Sequence, residues 1–142
     1  MELSQLAKRV VSTHPGATAQ EAAELMAHDG VAAMVVLDGD RLVGILSATD
    51  VVARVMARRL DPDTTLVSDI MTPRVWTITE GTSVRDTLDR MHGECRHLPL
   101  VDDQGHVTGM LTVGYLLGER VGELSLQNAD LVGFISTDGP GG

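Results

Sequence analysis

Residues 44–50 read GILSATD, and this stretch decides the fold because it joins an apolar strand to the start of a helix. Gly44 to Leu46 continue an apolar run from Leu42, as expected of the returning strand of a hairpin. Ser47 and Asp50 stand three residues apart, the spacing at which a hydroxyl and a carboxylate cap the first turn of a helix. The stretch therefore predicts a strand-to-helix junction.

A related stretch, GMLTVGY, lies 65 residues further along at 109–115. When the chain is laid on itself at this offset without gaps, residues of the same kind coincide. Thr18 meets Ser83 and Ser47 meets Thr112 as conservative matches. Because the matched positions also agree in physical role, they indicate an internal repeat. Identical pairs include Gly16/Gly81, Met26/Met91, Val36/Val101, Asp38/Asp103, Gly44/Gly109 and Leu46/Leu111.

Each copy is predicted to run strand, helix, strand, strand, helix. In the first copy, Thr18 and Glu21 have capping-box spacing and open a helix that Gly30 ends. Its paired strands are predicted at 32–37 and 42–46, and its second helix runs from 47 to about 60. That second helix is expected to turn Val51, Val52 and Val55 inward.

The second copy repeats this order. Its opening strand is predicted at 75–78, and Ser83 with Asp86 caps the helix that follows. Pro99 inside the next strand predicts that its missing N–H faces an unpaired edge or a cleft. The remaining predicted elements are strands at 98–101 and 107–111, a helix at 113–124, a polar linker at 61–65 and a helical turn within 66–73.

These elements predict an α/β fold of the α+β kind, with two small three-stranded sheets and packed helices. Neither half could bury both faces of its sheet alone, so the two are expected to pack together. The first repeat is predicted to cover 1–62 and the second 63–124. Residues 125–142 form a glycine-rich C-terminal extension that is expected to be partly disordered.

Composition narrows the function. The net charge of −9 argues against nucleic-acid binding, which needs a surplus of Lys and Arg. Cys95 is the only cysteine, so an internal disulfide and a cysteine-only metal site are excluded. No apolar run is long enough for a membrane span and no signal peptide is evident, which predicts a cytoplasmic protein. No catalytic or metal-binding signature is present, so an enzyme is not expected.

The chain resembles a cystathionine-β-synthase (CBS) domain pair, also called a Bateman module. The resemblance covers roughly residues 10–121 and rests on three segments. It implies two repeats related by a pseudo-twofold axis, a cleft between them, and pairing into a homodimer. Many such modules bind AMP, ADP, ATP or S-adenosylmethionine in the cleft. The segments are GILSATD at 44–50, DIMTP at 69–73 and RHLPLV at 96–101.

The resemblance also implies a ligand site in the first repeat. Asp50 would accept both ribose hydroxyls, and the hydroxyls and free N–H groups of the first helical turn would favour a phosphate. Arg96 and His97 would stand at the mouth of the cleft, where His97 would make binding pH-dependent. The remaining site residues are Gly44, Ser47 and Thr49, with Val11, Ala33 and Met34 against the adenine.

Simpler interpretations stay open for these residues. Ser47 and Asp50 could serve solely to cap a helix. Arg96 could be a solvated surface arginine, and His97 could be a packed core residue. In the second repeat, Thr112 matches Ser47, but Tyr115 stands where Asp50 would be. A phenol offers one neutral hydrogen bond in place of two charged ones. The equivalent site there is therefore expected to bind poorly or to be empty.

Two functions are consistent with the resemblance. The first is a stand-alone regulatory module that binds an adenosine compound and signals through its conformation or dimer state to an effector protein, with no resident cofactor. The alternative is a constitutive interaction or assembly module whose nucleotide sites are vestigial. The intact segment 44–50 favours the first, and the altered segment 109–115 favours the second.

Overall fold

A computed structural model describes residues 3–91 and 96–112. These residues form two compact units. The first-repeat unit contains residues 10–76 with 104–107, and the described part of the second-repeat unit contains 3–9, 77–91, 96–103 and 108–112. The elements in chain order are α1 (Leu3–Leu6), β1 (Ser12–Thr13), α2 (Ala19–Asp29), β2 (Ala33–Asp38), β3 (Arg41–Ser47), α3 (Ala48–Val51), a π-helical turn (Val52–Met56), α4 (Val67–Ile70), β4 (Ile78–Thr79), α5 (Val84–Arg90), β5 (His97–Val101) and β6 (Val107–Thr112).

The first-repeat unit is built on a sheet of order β1-β2-β3. β1 runs parallel to β2, and β2 pairs antiparallel with β3 through a turn in which Gly39 has a φ of 63°. This confirms the predicted hairpin, with each strand displaced or extended by one residue at its ends. The buried face packs on α2 and α4 around a core of Val11, Ala17, Ala19, Ala22, Met26, Met34, Val36, Leu46, Val55, Val67 and Ile70.

Helix α2 begins and ends where the sequence predicts. The Thr18 hydroxyl accepts a hydrogen bond from the Glu21 N–H at 3.1 Å, which satisfies one of the free donors of the first turn. Gly30 closes the helix in the left-handed conformation, with φ at 66°. A residue without a Cβ adopts this conformation at little cost, so the helix stops there.

The second-repeat unit contains the sheet β4-β5-β6. β4 is parallel to β5 and pairs with it only at Leu100 and Val101, so Pro99 stands outside this ladder. The Ser83 hydroxyl accepts from the Asp86 N–H at 3.0 Å and opens α5, as predicted. The core of this unit consists of Leu3, Ile78, Met91, Leu98, Leu100 and Leu111.

The segment that leads into each repeat packs in the unit of the other repeat. Thr72, near the start of the second repeat, exchanges two backbone hydrogen bonds with Ile45 at 2.8 and 3.0 Å. Lys8, near the start of the first repeat, exchanges two with Met110 at 2.9 and 3.0 Å. Met110 lies 65 residues after Ile45, so the two bridges occupy equivalent places in the repeats. The predicted repeat bounds of 1–62 and 63–124 therefore do not coincide with the bounds of the compact units.

Several sequence predictions need correction. Val52 is 61% exposed, whereas Val55 is 1% exposed and Val51 packs on the core. Val51 and Val55 are four residues apart on one helix face, and Val52 is rotated by about 100° from Val51. β4 begins at Ile78, so residues 75–77 are not part of the strand. The predicted helix at 113–124, Tyr115, Cys95 and the extension at 125–142 lie outside the described residues.

The helix that begins at Ala48 ends near Met56, not at Leu60, because the chain turns back there. The Leu60 N–H donates to the Val55 carbonyl at 3.0 Å, and the Arg59 N–H donates to the Met56 carbonyl at 3.1 Å. At this turn Arg59 adopts the left-handed conformation, with a φ of 56°. These two hydrogen bonds form the Schellman end of a helix, with arginine at the position that glycine usually occupies.

Arg59→Gly is expected to raise the free energy of unfolding by roughly 0.5–1 kcal/mol, because it removes the steric cost of the left-handed conformation. Arg58→Gly is the matched control, since it removes the same side chain from a neighbouring exposed position without a positive φ. That variant is expected to lose stability through backbone entropy. Urea denaturation measures both, and equal losses in the two variants would contradict the assignment.

Candidate ligand-binding site

The junction between β3 and α3 contains the central residues of the predicted site. The Ser47 hydroxyl accepts a hydrogen bond from the Asp50 N–H at 3.1 Å. In return, Asp50 Oδ2 accepts from the Ser47 N–H at 2.9 Å. The two bonds form a complete capping box, so the helix-cap interpretation of this pair is confirmed.

The capping hydrogen bond uses only part of the acceptor capacity of the Asp50 carboxylate. Its second oxygen, Oδ1, lies 3.8 Å from Nε of Arg54, and the Asp50 side chain is 15% exposed. A carboxylate offers about four lone-pair directions to donors. Ser47 and Arg54 engage one oxygen each, which leaves acceptor capacity on both. Asp50 can therefore cap the helix and still accept hydroxyl groups from a ligand.

The first turn of α3 offers fewer free N–H groups than the sequence predicts. The Ala48 N–H donates to the Ala32 carbonyl at 2.8 Å, and the Asp50 N–H is used by Ser47. Thr49 lies between them and is exposed, and neither its hydroxyl nor its N–H donates to another described residue. These two groups are therefore the donors of this turn that a ligand can reach.

Gly44 is explained by its neighbours in the fold. A Cβ placed on Gly44 would lie 2.5 Å from Met71 Sδ and 3.1 Å from the Thr72 carbonyl oxygen. Only a glycine lets the segment around Thr72 approach β3 this closely. Gly109 has the same role in the other unit, where a Cβ placed on it would lie 2.7 Å from the Cβ of Ala7.

The apolar residues of the predicted site fall into two groups. Ala33 pairs directly with Ser47, and the Val11 carbonyl accepts from the Val35 N–H at 3.0 Å, so Val11 and Ala33 lie at the same end of the sheet as Ser47. Met34 has no exposed surface and belongs to the core cluster, to which Val11, at 9% exposure, also belongs. Because successive side chains of a strand point to opposite faces, Met34 cannot share a ligand with Ala33. Met34 is therefore a core residue.

Arg96 and His97 belong to the second-repeat unit. Arg96 is exposed, and His97 is half-buried at the start of β5. Their contact with a ligand stays a prediction. Among residues 3–91 and 96–112, no group of three His, Cys, Asp or Glu is arranged to hold a metal ion. In the same ranges, no helix is long and apolar enough to cross a membrane.

Arg54 is a neighbour of Asp50 that the sequence prediction of the site does not include. Its Nη1 donates to the carbonyls of Ile70 at 3.0 Å and Met71 at 3.2 Å, while its Nε faces Asp50. The available signal is the spacing of four residues between Asp50 and Arg54, which places opposite charges on one helix face. The partners at residues 70 and 71 have no signal in the local sequence.

The family comparison agrees with this arrangement of repeats. The CBS domain model matches residues 3–57 and again residues 67–122. The chain belongs to the CBS domain family. The first match begins with α1 and the second match begins with α4. Each repeat in the sequence therefore contains a segment that packs in the other unit.

Known CBS proteins share the fold over most of the chain. A protein with CBS domains from Burkholderia ambifaria superimposes with a TM-score of 0.79 at 24% identity, covering 87% of this chain and 96% of that one. A CBS domain protein from Pyrobaculum aerophilum, solved in complex with AMP, gives a TM-score of 0.77 at 29% identity, covering 89% of this chain and 98% of its own.

Relatives also include much larger proteins. The meiotically up-regulated gene 70 protein of Schizosaccharomyces pombe is 39% identical over 100 residues, which is 70% of this chain. The chain spans only 14% of that protein. The CBS pair is thus a module that occurs both in small chains and inside long ones.

Proposed function

We propose that this CBS pair is a regulatory module that binds an adenosine-containing ligand through the first repeat. Asp50 and Thr49 provide the polar contacts, and Ala33 with the small exposed part of Val11 provides the neighbouring apolar surface. The observation that carries the proposal is the Asp50 carboxylate, which is held by Ser47 and Arg54 and keeps unused acceptor capacity. The AMP complex of the Pyrobaculum aerophilum protein supports the choice of ligand class.

The chemistry of the site suits a ribose. Two neighbouring hydroxyls can donate to the two oxygens of one carboxylate, and each charge-assisted hydrogen bond contributes roughly 1.5–3 kcal/mol. Asp50 needs no movement to accept them, because the capping box already sets its orientation. A ligand with a free ribose is therefore favoured over one that carries only a phosphate. AMP, ADP, ATP and S-adenosylmethionine all meet this condition.

The regulatory part of the proposal concerns the response of the module to a bound ligand. CBS-domain proteins are generally regulatory and not catalytic, and we propose that this chain acts in the same way. The bound ligand would change the conformation of the module or the geometry of a homodimer, and an effector protein or a domain would respond to the change.

A second candidate is an assembly module that binds no nucleotide. The complete capping box favours it, because Ser47 and Asp50 already stabilise the helix without a ligand. Under this function the Ser47–Asp50 pair serves only to stabilise the start of α3. The two candidates differ in what Asp50→Asn does to ligand binding.

Wild-type protein is expected to gain about 2.7 kcal/mol of stability from an adenosine compound at 100 times its dissociation constant, a shift in Tm of roughly 5–10 °C. Asp50→Asn keeps the shape of the side chain but removes its charge, so the shift is expected to disappear. A thermal-shift panel with AMP, ADP, ATP and S-adenosylmethionine measures this.

Asp86→Asn is the matched control, because Asp86 is also the third helical residue after a capping serine. It lies at α5 of the other repeat, outside the proposed site, so its ligand-induced shift should equal that of the wild type. No shift with any compound in the wild type would overturn the nucleotide-binding proposal and support the assembly module. An equal loss of the shift in both variants would show that the effect is not specific to the Asp50 site.

A further inference from the structure

Arg54 connects the candidate site to the backbone of a separate segment. One end of its guanidinium faces Asp50, with Nε 3.8 Å from Oδ1. The other end donates through Nη1 to the carbonyls of Ile70 and Met71, at 3.0 and 3.2 Å. These carbonyls lie 16 and 17 residues further along the chain and close helix α4. A single side chain therefore links the proposed ribose acceptor to the end of α4.

The geometry of the guanidinium makes this link directional. Its donors lie in one rigid plane at fixed distances from one another, so Nε and Nη1 cannot move independently. The Arg54 side chain is 38% exposed, and an ion pair that solvent screens to this degree adds little to stability. The ion pair with Asp50 thus serves to orient the carboxylate more than to stabilise the unit.

The segment that Arg54 reaches is itself tied to the sheet. Thr72 follows Met71 and exchanges two backbone hydrogen bonds with Ile45 of β3. Met71 packs against the core and lies over Gly44, where a Cβ would collide with its sulfur. A displacement of the carbonyls at 70 and 71 must therefore alter the Thr72–Ile45 bridge or be resisted by it.

Arg54 also lies inside the π-helical turn of Val52–Met56. In this turn the Ala57 N–H donates to the Val52 carbonyl, five residues back, at 2.8 Å. A π-helical turn is less favourable than an α-helical one and is found frequently at functional sites. Here it provides the helix geometry in which Arg54 reaches both Asp50 and the end of α4.

From these contacts we infer that Arg54 is a positioning residue of the proposed ligand site. It orients the Asp50 carboxylate for the ribose and transmits occupation of that carboxylate to the backbone at residues 70–72. This inference rests on the proposed function, because it concerns the same site. It adds a residue and a direction of coupling, from Asp50 through Arg54 to the Thr72–Ile45 bridge.

The experiment combines calorimetric titration of AMP with amide hydrogen exchange at Thr72 and Ile45. In the wild type, saturating AMP is expected to slow exchange of both amides about threefold, because the bridge opens less often when its neighbour is held. Arg54→Met keeps a long side chain without the charge or donors. It is expected to bind AMP about tenfold more weakly and to lose the slowing even at saturation.

Two further variants separate positioning from folding. Arg54→Lys keeps the charge but loses the planar fork, so it should recover part of the affinity but not the slowing. Arg58→Met removes an exposed arginine from the same region and should behave as the wild type.

The inference fails if wild-type protein binds AMP without slowing at Thr72 and Ile45, or if Arg54→Met keeps both affinity and slowing. The proposed function fails separately, in the titration, if AMP and the other adenosine compounds give no binding to the wild type, and the inference then fails with it.

Discussion

Leu3→Ala is expected to lower the free energy of unfolding by about 2–5 kcal/mol, although Leu3 lies at the start of the chain. Its side chain is 1% exposed and belongs to the core of the second-repeat unit with Ile78, Leu98 and Leu111. The loss combines the transfer free energy of the removed methyl groups with the cavity that they leave. α1 cannot collapse freely into this cavity, because both oxygens of Glu80 accept from the Ser4 N–H at 3.1 Å.

Leu25→Ala provides the control for this prediction. Leu25 carries the same side chain on α2 but is 39% exposed, so its truncation should cost much less. Denaturation by urea, with the slope compared between variants, measures both losses. A small loss for Leu3→Ala would contradict its assignment to the core, and would mean that the first residues of the chain contribute little to the second-repeat unit.

Gly44→Ala is expected to cost about 1–3 kcal/mol, because the added methyl group has no room. Met71 Sδ would lie 2.5 Å away and can move, but the Thr72 carbonyl at 3.1 Å is backbone and is held by Ile45. The substitution therefore strains the bridge between β3 and the segment at 71–72. Thermal or urea unfolding measures the loss.

Gly81→Ala is the matched control, since its added Cβ meets no atom within 4 Å. It should be neutral or slightly stabilising through reduced entropy of the unfolded chain. The double variant Gly44→Ala with Met71→Ala should lose less than the sum of its single variants, because the sulfur that clashes has gone. Strict additivity would show that Met71 is not the group in contact with Gly44.

The capping box and the proposed ligand site use the same atoms. Ser47 and Asp50 satisfy each other's N–H groups, and this alone would explain their spacing. The contact with Arg54 distinguishes Asp50 from Asp86, whose capping serine makes the same bond at α5. If Asp50 served only as a cap, loss of its charge would alter stability slightly and would leave ligand binding unchanged.

Much of the fold could be predicted because it depends on contacts between near neighbours in the chain. Thr18, Ser47 and Ser83 each accept a hydrogen bond from an N–H three residues ahead, so their spacing shows where helices begin. Gly30 has a positive φ at the end of helix α2, and Gly39 has one in the hairpin turn between β2 and β3. Glycine is the residue that tolerates this conformation. The repeat itself also stands in the sequence, as matched positions 65 residues apart.

The helix end at Arg59 could not be predicted because its left-handed conformation is held by the Schellman hydrogen bonds and not by a glycine. The prediction of Val52 as an inward residue is wrong because any valine in an apolar helix fits a core, and only the direction of the helix face separates it from Val55. The prediction that Met34 contacts the ligand meets a similar difficulty. Apolar type alone does not say which face of β2 is covered by the core.

Local chemistry therefore established the elements, their caps and the position of the candidate carboxylate, since each depends on atoms within about four residues. Tertiary structure alone decided which unit each leading segment joins and what surrounds Asp50. Lys8 meets Met110, and Arg54 meets the carbonyls of Ile70 and Met71. These partners are backbone groups, which every residue carries, so no side-chain pattern in the sequence marks them.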